Sequence, residues 1–539
     1  MPVPDLLCDE PAVRLDAASL KQTLTFAFAS GVPSSAFAQA LETAALPPST
    51  WTPGSFAKEL FLPELVAACC KVSIAGHPYA IDRANVGRIL SHPPSSWRVA
   101  EFRRGILREL AASESLRKGF ERAYTSLHQF RALLESPPLA RRLDANRRRL
   151  DILGAAKSAL DVMAESFGGA TSGLARLAAF ASEACAGEGY RRLAALLDYH
   201  DNLATLDLRV RLGIDGRVRG LEMLAVRENK GNWFYASPLG RFAQKLAALV
   251  RGYRFSEQEM LARLLDRVFE GIEDEVVQLF QLIGDMEFYL AALAFRDLAQ
   301  KSGLEVSLPE VAPAGDTGPR ALHGLFNPHL LAQGIRVVPC DVAMPRHDMT
   351  VIVTGPNSGG KTRLLQSVAI AQMFAQAGFF APVREARLAF APGMFLSLIE
   401  EATAGQTEGR LGVELIRIRS LFEKLKVGSL VILDELCSGT NPSEGEEIFE
   451  LVITLLAELA PQAYITTHFL KLAARIAESP PVQGLAFFQV ELDQRQFPTY
   501  GFVPGVAATS LAHRTAARLG GTREELLALV EASKRAHRG

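Results

Sequence analysis

The stretch VIVTGPNSGGKTRLL, residues 351–365, decides how the rest of the chain is read. Val351, Ile352 and Val353 form a β-branched run, Gly355 and Pro356 break it, and Leu364 and Leu365 open an apolar helical pattern. That is strand, loop, helix. Between the two elements Gly355, Pro356, Asn357, Ser358, Gly359, Gly360, Lys361 and Thr362 fill the pattern G-x-x-x-x-G-K-T completely. The glycines let successive backbone N–H groups turn inward around phosphate oxygens, and a helix opening at Lys361 adds the positive end of its dipole. The expectation is a polyphosphate cradle. Lys361 would reach the β- and γ-phosphates and the Thr362 hydroxyl would bind Mg2+. A glycine turn that binds nothing is the bland alternative, and the strand-loop-helix context weighs against it.

A magnesium site needs a second element. SLVILDEL, residues 429–436, is an apolar strand ending in two carboxylates. Asp434 is expected to hold Mg2+, mostly through water. Glu435 is expected to orient or deprotonate the attacking water. Alone, an Asp-Glu pair after a strand is a solvated loop; beside a phosphate loop it reads as the other half of an ATP site. A third strand, in AYITTHF (463–469), ends at His468. Open α/β sheets bind ligands at the C-terminal ends of their strands, so His468 is read as a group that senses γ-phosphate or polarises water. The expected catalytic set is therefore Glu435, His468 and Lys361, and the nucleotide-binding set runs from Gly355 to Thr362. Thr362 and Asp434 are the metal-binding set, and ATP and Mg2+ are the cofactors.

Composition sets the wider bounds. The chain has 539 residues, 48% hydrophobic and 22% charged, enough for several globular domains. With 58 basic and 59 acidic residues the net charge is −1, so any basic surface must be local. Cys8, Cys69, Cys70, Cys185, Cys340 and Cys437 are scattered and form no C-x-x-C pair, which suggests reduced thiols in a cytoplasmic protein. The N-terminal MPVPDLLCDE lacks the apolar core of a signal peptide. Leu364 to Val383 is uncharged and as long as a membrane span, yet it holds Gln366, Gln372, Gln376, Gly378 and Pro382. It reads as a buried helix on a central sheet, and no membrane is expected.

Along the chain, residues 1–94 form an N-terminal region with helices near Leu20–Phe28 and over 56–71. Asp5 to Asp16 is mostly punctuation. Residues 95–305 carry helical spacing, as in Phe102, Ile106, Leu107, Leu110 and in Leu150, Leu153, Leu160, Met163, with a break at Pro137-Pro138. Near 205–237 a small hairpin interrupts, where Leu208, Val210 and Leu212 alternate with charged residues before Gly213 and Asp215-Gly216. Pro309, Pro313 and Pro319 mark 306–320 as a linker. Beyond it the strand-like runs Ile335–Val338, Thr350–Thr354, Phe395–Ile399, Leu430–Leu433 and Ala463–Thr467 alternate with helical ones. The expected fold is multidomain: a long α-helical core or lever region, then a P-loop α/β ATPase domain over 321–539 with a mostly parallel sheet.

These elements resemble the ATPase domain of the MutS family, within the wider ABC-type ATPases. TGPNSGGKT, Thr354 to Thr362, resembles the family's Gly-Pro-Asn loop. DELCSGTNPSEG, Asp434 to Gly445, resembles its Asp-Glu, Gly-Thr, Glu-Gly pattern. The Pro442-x-Glu444-Gly445 ending is closer to the recombination-suppressing bacterial branch than to mismatch-repair MutS. ITTHF is similar to the family's Thr-His switch, Val338 to Val342 to its adenine-side entry strand, and YGFVPGVAATS (500–510) to the turn before its dimerising helices. The resemblance covers residues 320–535 well, and the helices of 95–305 only in pattern. It implies a homodimer with composite ATP sites across a two-fold axis. It places Asn357 at the γ-phosphate or its water, and Gly439 and Thr440 near the partner's nucleotide. The chain also departs from the family pattern. GQTEGRLGVEL (405–415) keeps Glu414 but lacks the family's Ser-x-Phe element, leaving Thr407 or Arg410 to substitute. Neither an N-terminal mismatch-reading domain nor a C-terminal nuclease-like domain is expected.

DNA is the expected partner, contacted through its backbone or its shape. The candidate basic residues are Arg141, Arg142 and Arg147 to Arg149 on a helix, and Arg209, Arg211, Arg217 and Arg219 in the hairpin, where the family inserts its DNA clamp. For the helix, a solvated face paired through Asp144 and Asp151 is the alternative. The function expected is an ATP-dependent DNA-binding protein of mismatch repair or recombination, with hydrolysis moving levers on DNA. The alternatives are an ATP-driven conformational switch acting on a protein, ribosomal or RNA partner without DNA specificity, and a chain that binds ATP only structurally.

Overall fold

The computed structural model describes residues 2–135, 145–202, 205–212, 218–227, 257–398, 410–438, 441–508, 523 and 526–530. Its compact units do not follow the linear order. Met1–Pro47 groups with Phe102–Tyr289, and Pro48–Glu101 groups with Leu290–Gly539.

Strands that run parallel deliver their C-terminal ends to one edge, and the main sheet of the second unit does this. Its strands are β1 (Thr350–Thr354), β2 (Met394–Ser397), β3 (Leu430–Leu433), β4 (Gln462–Thr466), β5 (Leu485–Leu492) and β6 (Pro498–Pro504). They lie in the order β2-β3-β4-β1-β5-β6. All neighbours are parallel except β6, which returns antiparallel to β5. Every residue of β1, β3 and β4 is buried, as in a strand covered on both faces. The expected strands Thr350–Thr354 and Leu430–Leu433 form residue for residue. Those near 395 and 463 begin one residue earlier.

Ile335–Val338, expected as a strand, is irregular; the strand is Cys340–Met344. Ile335 and Val338 are exposed, so their apolar character reports no core face, and Pro339 offers no N–H to a ladder. Cys340–Met344 instead pairs with Arg320–Leu325 in a four-stranded sheet that also holds Glu310–Ala312 and Glu385–Ala389.

The uncharged stretch after the Gly-rich loop is the helix Lys361–Ala377, with Leu364 to Ala377 wholly buried. Its glutamines are satisfied inside: Gln372 Nε2 donates to the Ala389 carbonyl and Gln376 Nε2 to the Ala391 carbonyl, both at 2.9 Å. Alternate sheet residues Val431, Leu433, Ala463 and Ile465 pack with Phe449, Val452 and Ile453 from the helix Pro442–Ala457.

The first unit is helical. In the helix Glu114–Leu134, capped by the Ser113 hydroxyl, Phe120, Ala123, Tyr124, Leu127 and Phe130 form one buried stripe. Asp5 to Arg14 has no regular structure, yet its charges are sealed. Arg14 Nε lies 3.3 Å from Asp5 Oδ1, and its other end bonds Asp285. Arg148 donates to the carbonyls of Ala27 (2.6 Å), Phe28 (2.9 Å) and Leu133 (3.1 Å), closing the ends of two helices. Arg147 pairs with Asp151 and Arg149 with Asp266. Of the basic cluster, then, Arg148 is a core residue and not a phosphate contact. Arg141, Arg142, Asp144 and Pro137-Pro138 lie outside the described residues. The hairpin forms: Thr205–Leu212 pairs antiparallel with Val218–Arg227, placing Arg209 opposite Glu222. Its turn, with Arg217, lies outside the described residues.

All six cysteines are free thiols. Among the described residues one helix, Glu273–Lys301, has the length and hydropathy to cross a membrane, and its apolar stretch is buried inside the protein.

Candidate active site

The loop after β1 turns where only glycine turns easily. Gly355 has φ +136° and Gly360 φ +86°. A Cβ on Gly355 or on Gly359 would lie 2.7 Å from Val490 Cγ2. The glycines therefore serve the turn and also let β5 pack directly beneath it. The helix Lys361–Ala377 starts at Gly360 with no side-chain cap, so its first amides point out with their donors uncommitted to a capping group. Lys361 is buried, and its Nζ donates to the carbonyls of Gly355 (2.8 Å) and Pro356 (3.2 Å). Burial holds its ammonium below the ordinary lysine range, against the pull of Glu435 and Asp434. Asn357, Ser358 and Thr362 face solvent.

Sheet order explains how the other groups meet this loop. β4 lies between β3 and β1, so a side chain leaving β3 must pass over the end of β4. Leu433 is level with Ile465, and Thr466 with Val353. Asp434 therefore arrives beside Thr466. The Thr466 hydroxyl donates to Asp434 Oδ1 at 2.5 Å, and the Thr362 hydroxyl donates to Asp434 Oδ2 at 2.5 Å. Thr466 Oγ1 also accepts the Glu435 N–H at 2.7 Å, and the Ser397 carbonyl of β2 accepts the Asp434 N–H at 2.8 Å. The turn is sharp: Glu435 has φ +53° and Cys437 φ +62°, and left-handed residues of this kind each cost roughly 1–3 kcal/mol. His468 Nε2 lies 2.7 Å from Glu435 Oε1.

The two adjacent carboxyls are pushed in opposite directions. Burial raises Asp434, with the hydroxyls of Thr362 and Thr466 opposing. The His468 hydrogen bond lowers Glu435, with burial opposing. Neighbouring acids separated in this way can take different roles. A small cleft, partly open to solvent, lies alongside, lined by Ser397, Glu414, Arg417, Asp434 and Glu435 among others.

Loop, Asp434, Glu435 and His468 thus come together as a single constellation. Of the residues suggested for the altered signature segment, Glu414 reaches the cleft and Arg410 opens the helix Arg410–Lys424. Thr407, Gly439 and Thr440 lie outside the described residues. Sequence reasoning missed Thr466 as the bridge between Asp434 and Glu435. Its only sign was the doubled threonine of ITTHF. The donors suit a hard divalent ion with a polyphosphate: a hydroxyl and a carboxylate in contact, a buried ammonium, and a glycine cradle no side chain fills. Among the described residues no group of three or more His, Cys, Asp or Glu side chains gathers to hold a metal alone, so phosphate oxygens would have to complete the shell.

Residues 351–534 match MutS domain V. That segment is a MutS-family domain. The chain is 29% identical over 353 residues to the Endonuclease MutS2 of Thermus thermophilus, covering 63% of this chain and 45% of the relative. It is 30% identical over 269 residues to that of Thermomicrobium roseum, covering 49% and 33%. With that of Caldanaerobacter subterraneus it shares 26% identity over 277 residues, covering 50% and 33%. The chain spans from about a third to under half the length of these relatives. Their shared name agrees with the branch that the Pro442-x-Glu444-Gly445 ending resembles.

Proposed function

We propose that this protein is a Mg2+-dependent ATPase whose nucleotide cycle acts on DNA. One observation carries the enzymatic half. The Thr362 hydroxyl, on the first turn of the helix after β1, and the Asp434 carboxylate, on the turn after β3, are joined at 2.5 Å at the mouth of the Gly-rich loop. Thr362 and Asp434 would hold Mg2+, and Gly355 to Lys361 would hold the phosphates. Bound Mg2+ supplies positive charge that neutralises phosphoryl oxygens during transfer. The chain's own residues do the rest. Lys361, already desolvated, has only to exchange two carbonyl partners for phosphate oxygens. Glu435, kept ionised by His468, accepts the proton of a water it orients, and His468 holds that carboxylate in place.

For DNA, support comes from the names of the relatives and from the antiparallel hairpin with Arg209, Arg211 and Arg219. We assign residues 1–94 as an N-terminal region, of which the part from Pro48 onward groups with the second unit, 95–305 as a core or lever with a clamp-like hairpin near 205–237, and 306–320 as a connection that carries the strand Glu310–Ala312. The ATPase domain is 321–539, with dimerising helices at its end and a cytoplasmic location. Leu451 and Leu455, exposed on the helix Pro442–Ala457, and the exposed Leu526, Leu527 and Leu529 supply apolar surface that a second copy would cover. The relatives reported above carry MutS2 names, so recombination control is preferred to mismatch repair.

Glu435→Gln is expected to bind Mg·ATP at wild-type affinity while turnover falls by about 10²–10⁴-fold, the usual contribution of a positioned base. Normal turnover by that variant removes Glu435 from the mechanism. Gel shifts on duplex DNA, branched DNA and structured RNA, with and without ATP across a salt series, test the partner. ATP-sensitive binding to junctions supports the DNA reading. Absence of DNA affinity at low salt, with a protein or RNA co-purifying, replaces it with a switch acting on that partner.

A further inference from the structure

Among the described residues β2 is an edge strand of the main sheet, held on one side by β3 alone. Residues 50–60, from the far end of the chain, fasten it at both ends. Trp51 Nε1 donates to the Ala391 carbonyl at 2.8 Å, just before β2 begins. Glu59 Oε2 accepts the N–H of Leu398 at 2.5 Å, at the first residue after β2 ends. Two further bonds seat the segment: Lys426 Nζ to the Thr50 carbonyl at 3.3 Å, and His329 Nε2 at 2.8 Å from the Leu60 carbonyl.

The end of β2 is also where the carboxylate turn is tied down. Ser397, its last residue, accepts the Asp434 N–H at 2.8 Å. Leu398 and Ser397 line the cleft beside Asp434 and Glu435. That turn contains two left-handed residues, Glu435 and Cys437, and such a conformation persists only where its surroundings hold it. An interior strand would be braced by neighbours on both sides; β2 is not. A carboxylate accepting a backbone N–H makes a charge-assisted bond stronger than a neutral one.

We propose that Glu59 is a positioning residue for the hydrolytic site: it fixes the exit of β2 and, through the Ser397–Asp434 bond, the turn that presents Asp434 and Glu435. This rests on reading those two carboxylates as the hydrolytic pair. Its proposed action runs through the Leu398 amide and not through the reacting groups.

The test uses the full chain with Glu59→Ala and Glu59→Gln. In nucleotide-free protein, hydrogen exchange at the Leu398 and Asp434 amides should speed up in the alanine variant by about tenfold, the loss of one charge-assisted bond. Exchange at Thr354, on the central strand, should not change. The glutamine variant, whose amide oxygen can accept the same N–H, should stay near wild type. In turnover, the alanine variant should lose about 10–100-fold in kcat, as for a small misplacement of reacting groups, while its nucleotide Kd moves less than about threefold. Glutamine should restore most of it. The proposal is overturned if Asp434 exchange is unchanged in the alanine variant. It is equally overturned if glutamine falls as far as alanine, or if Thr354 exchange speeds up and thermal stability falls together with kcat. A wild-type protein that hydrolyses nothing defeats the parent reading, and the exchange comparison still decides whether Glu59 braces the turn.

Discussion

The helical unit and the ligand edge of the main sheet both set carboxylates beside a cation, and they are built in opposite ways. In the helical unit Asp5, Asp285 and Arg14 expose 0%, 2% and 6% of their side chains. Asp285 also accepts the Leu6 N–H, and Asp5 those of Leu7, Cys8 and Ala12. At the edge of the sheet Lys361 is equally deep, but Glu435 keeps 40% of its side chain exposed and His468 27%. The chemistry of the groups is similar; access is not. A sealed pair can only specify where the chain passes. A pair with one open side can exchange its partners for a ligand.

The largest expected effect lies on the sealed side. Arg14→Ala leaves two carboxylates buried without their cation, and breaking such a pair costs about 3–5 kcal/mol. Denaturant unfolding of the helical unit should report that loss, while nucleotide affinity of the remaining folded protein stays put. A neutral outcome would erase the distinction drawn above. Lys361→Ala should do the reverse. Calorimetry should show nucleotide affinity falling by about 10–100-fold, the worth of one charge-assisted contact, with little change in the unfolding temperature. His468→Ala sharpens the open side further. His468 holds Glu435 below its ordinary pKa, so its removal lets that pKa rise. Turnover needs the ionised carboxylate, so the acid limb of the pH–rate profile should move to higher pH. A limb that stays in place means that Glu435 is not the group titrating there. The smallest effect belongs to an ion pair on neither side: Arg419, with Glu423 at 2.8 Å, is exposed on its helix. Arg419→Ala should shift stability by less than about 0.5 kcal/mol.

What could be read in advance was what neighbours in sequence decide. The Gly-rich loop, the strands at 350 and 430, and the carboxylates after Leu433 each announce themselves within a dozen residues. Parallel pairing then brings them to one edge without further information. The misreadings share a different cause. Asp5 to Arg14 looks like punctuation because its partners lie more than 260 residues away. Arg148 looks like a surface charge because the carbonyls it binds are helix ends, which no side-chain pattern displays. Ile335–Val338 looks like a strand because exposure is invisible in composition. Thr466 was in view as part of a motif, yet its bridging role needed the register of three strands.

The stitching of residues 50–60 onto the rim of the sheet has a practical side. A piece cut from the linker onward would keep the whole Gly-rich loop and both acids, and would look complete on paper. It would leave β2 unfastened at both ends, with the Ala391 carbonyl and the Leu398 amide stripped of their side-chain partners. For this molecule the safe place to cut is not to be found by reading from left to right.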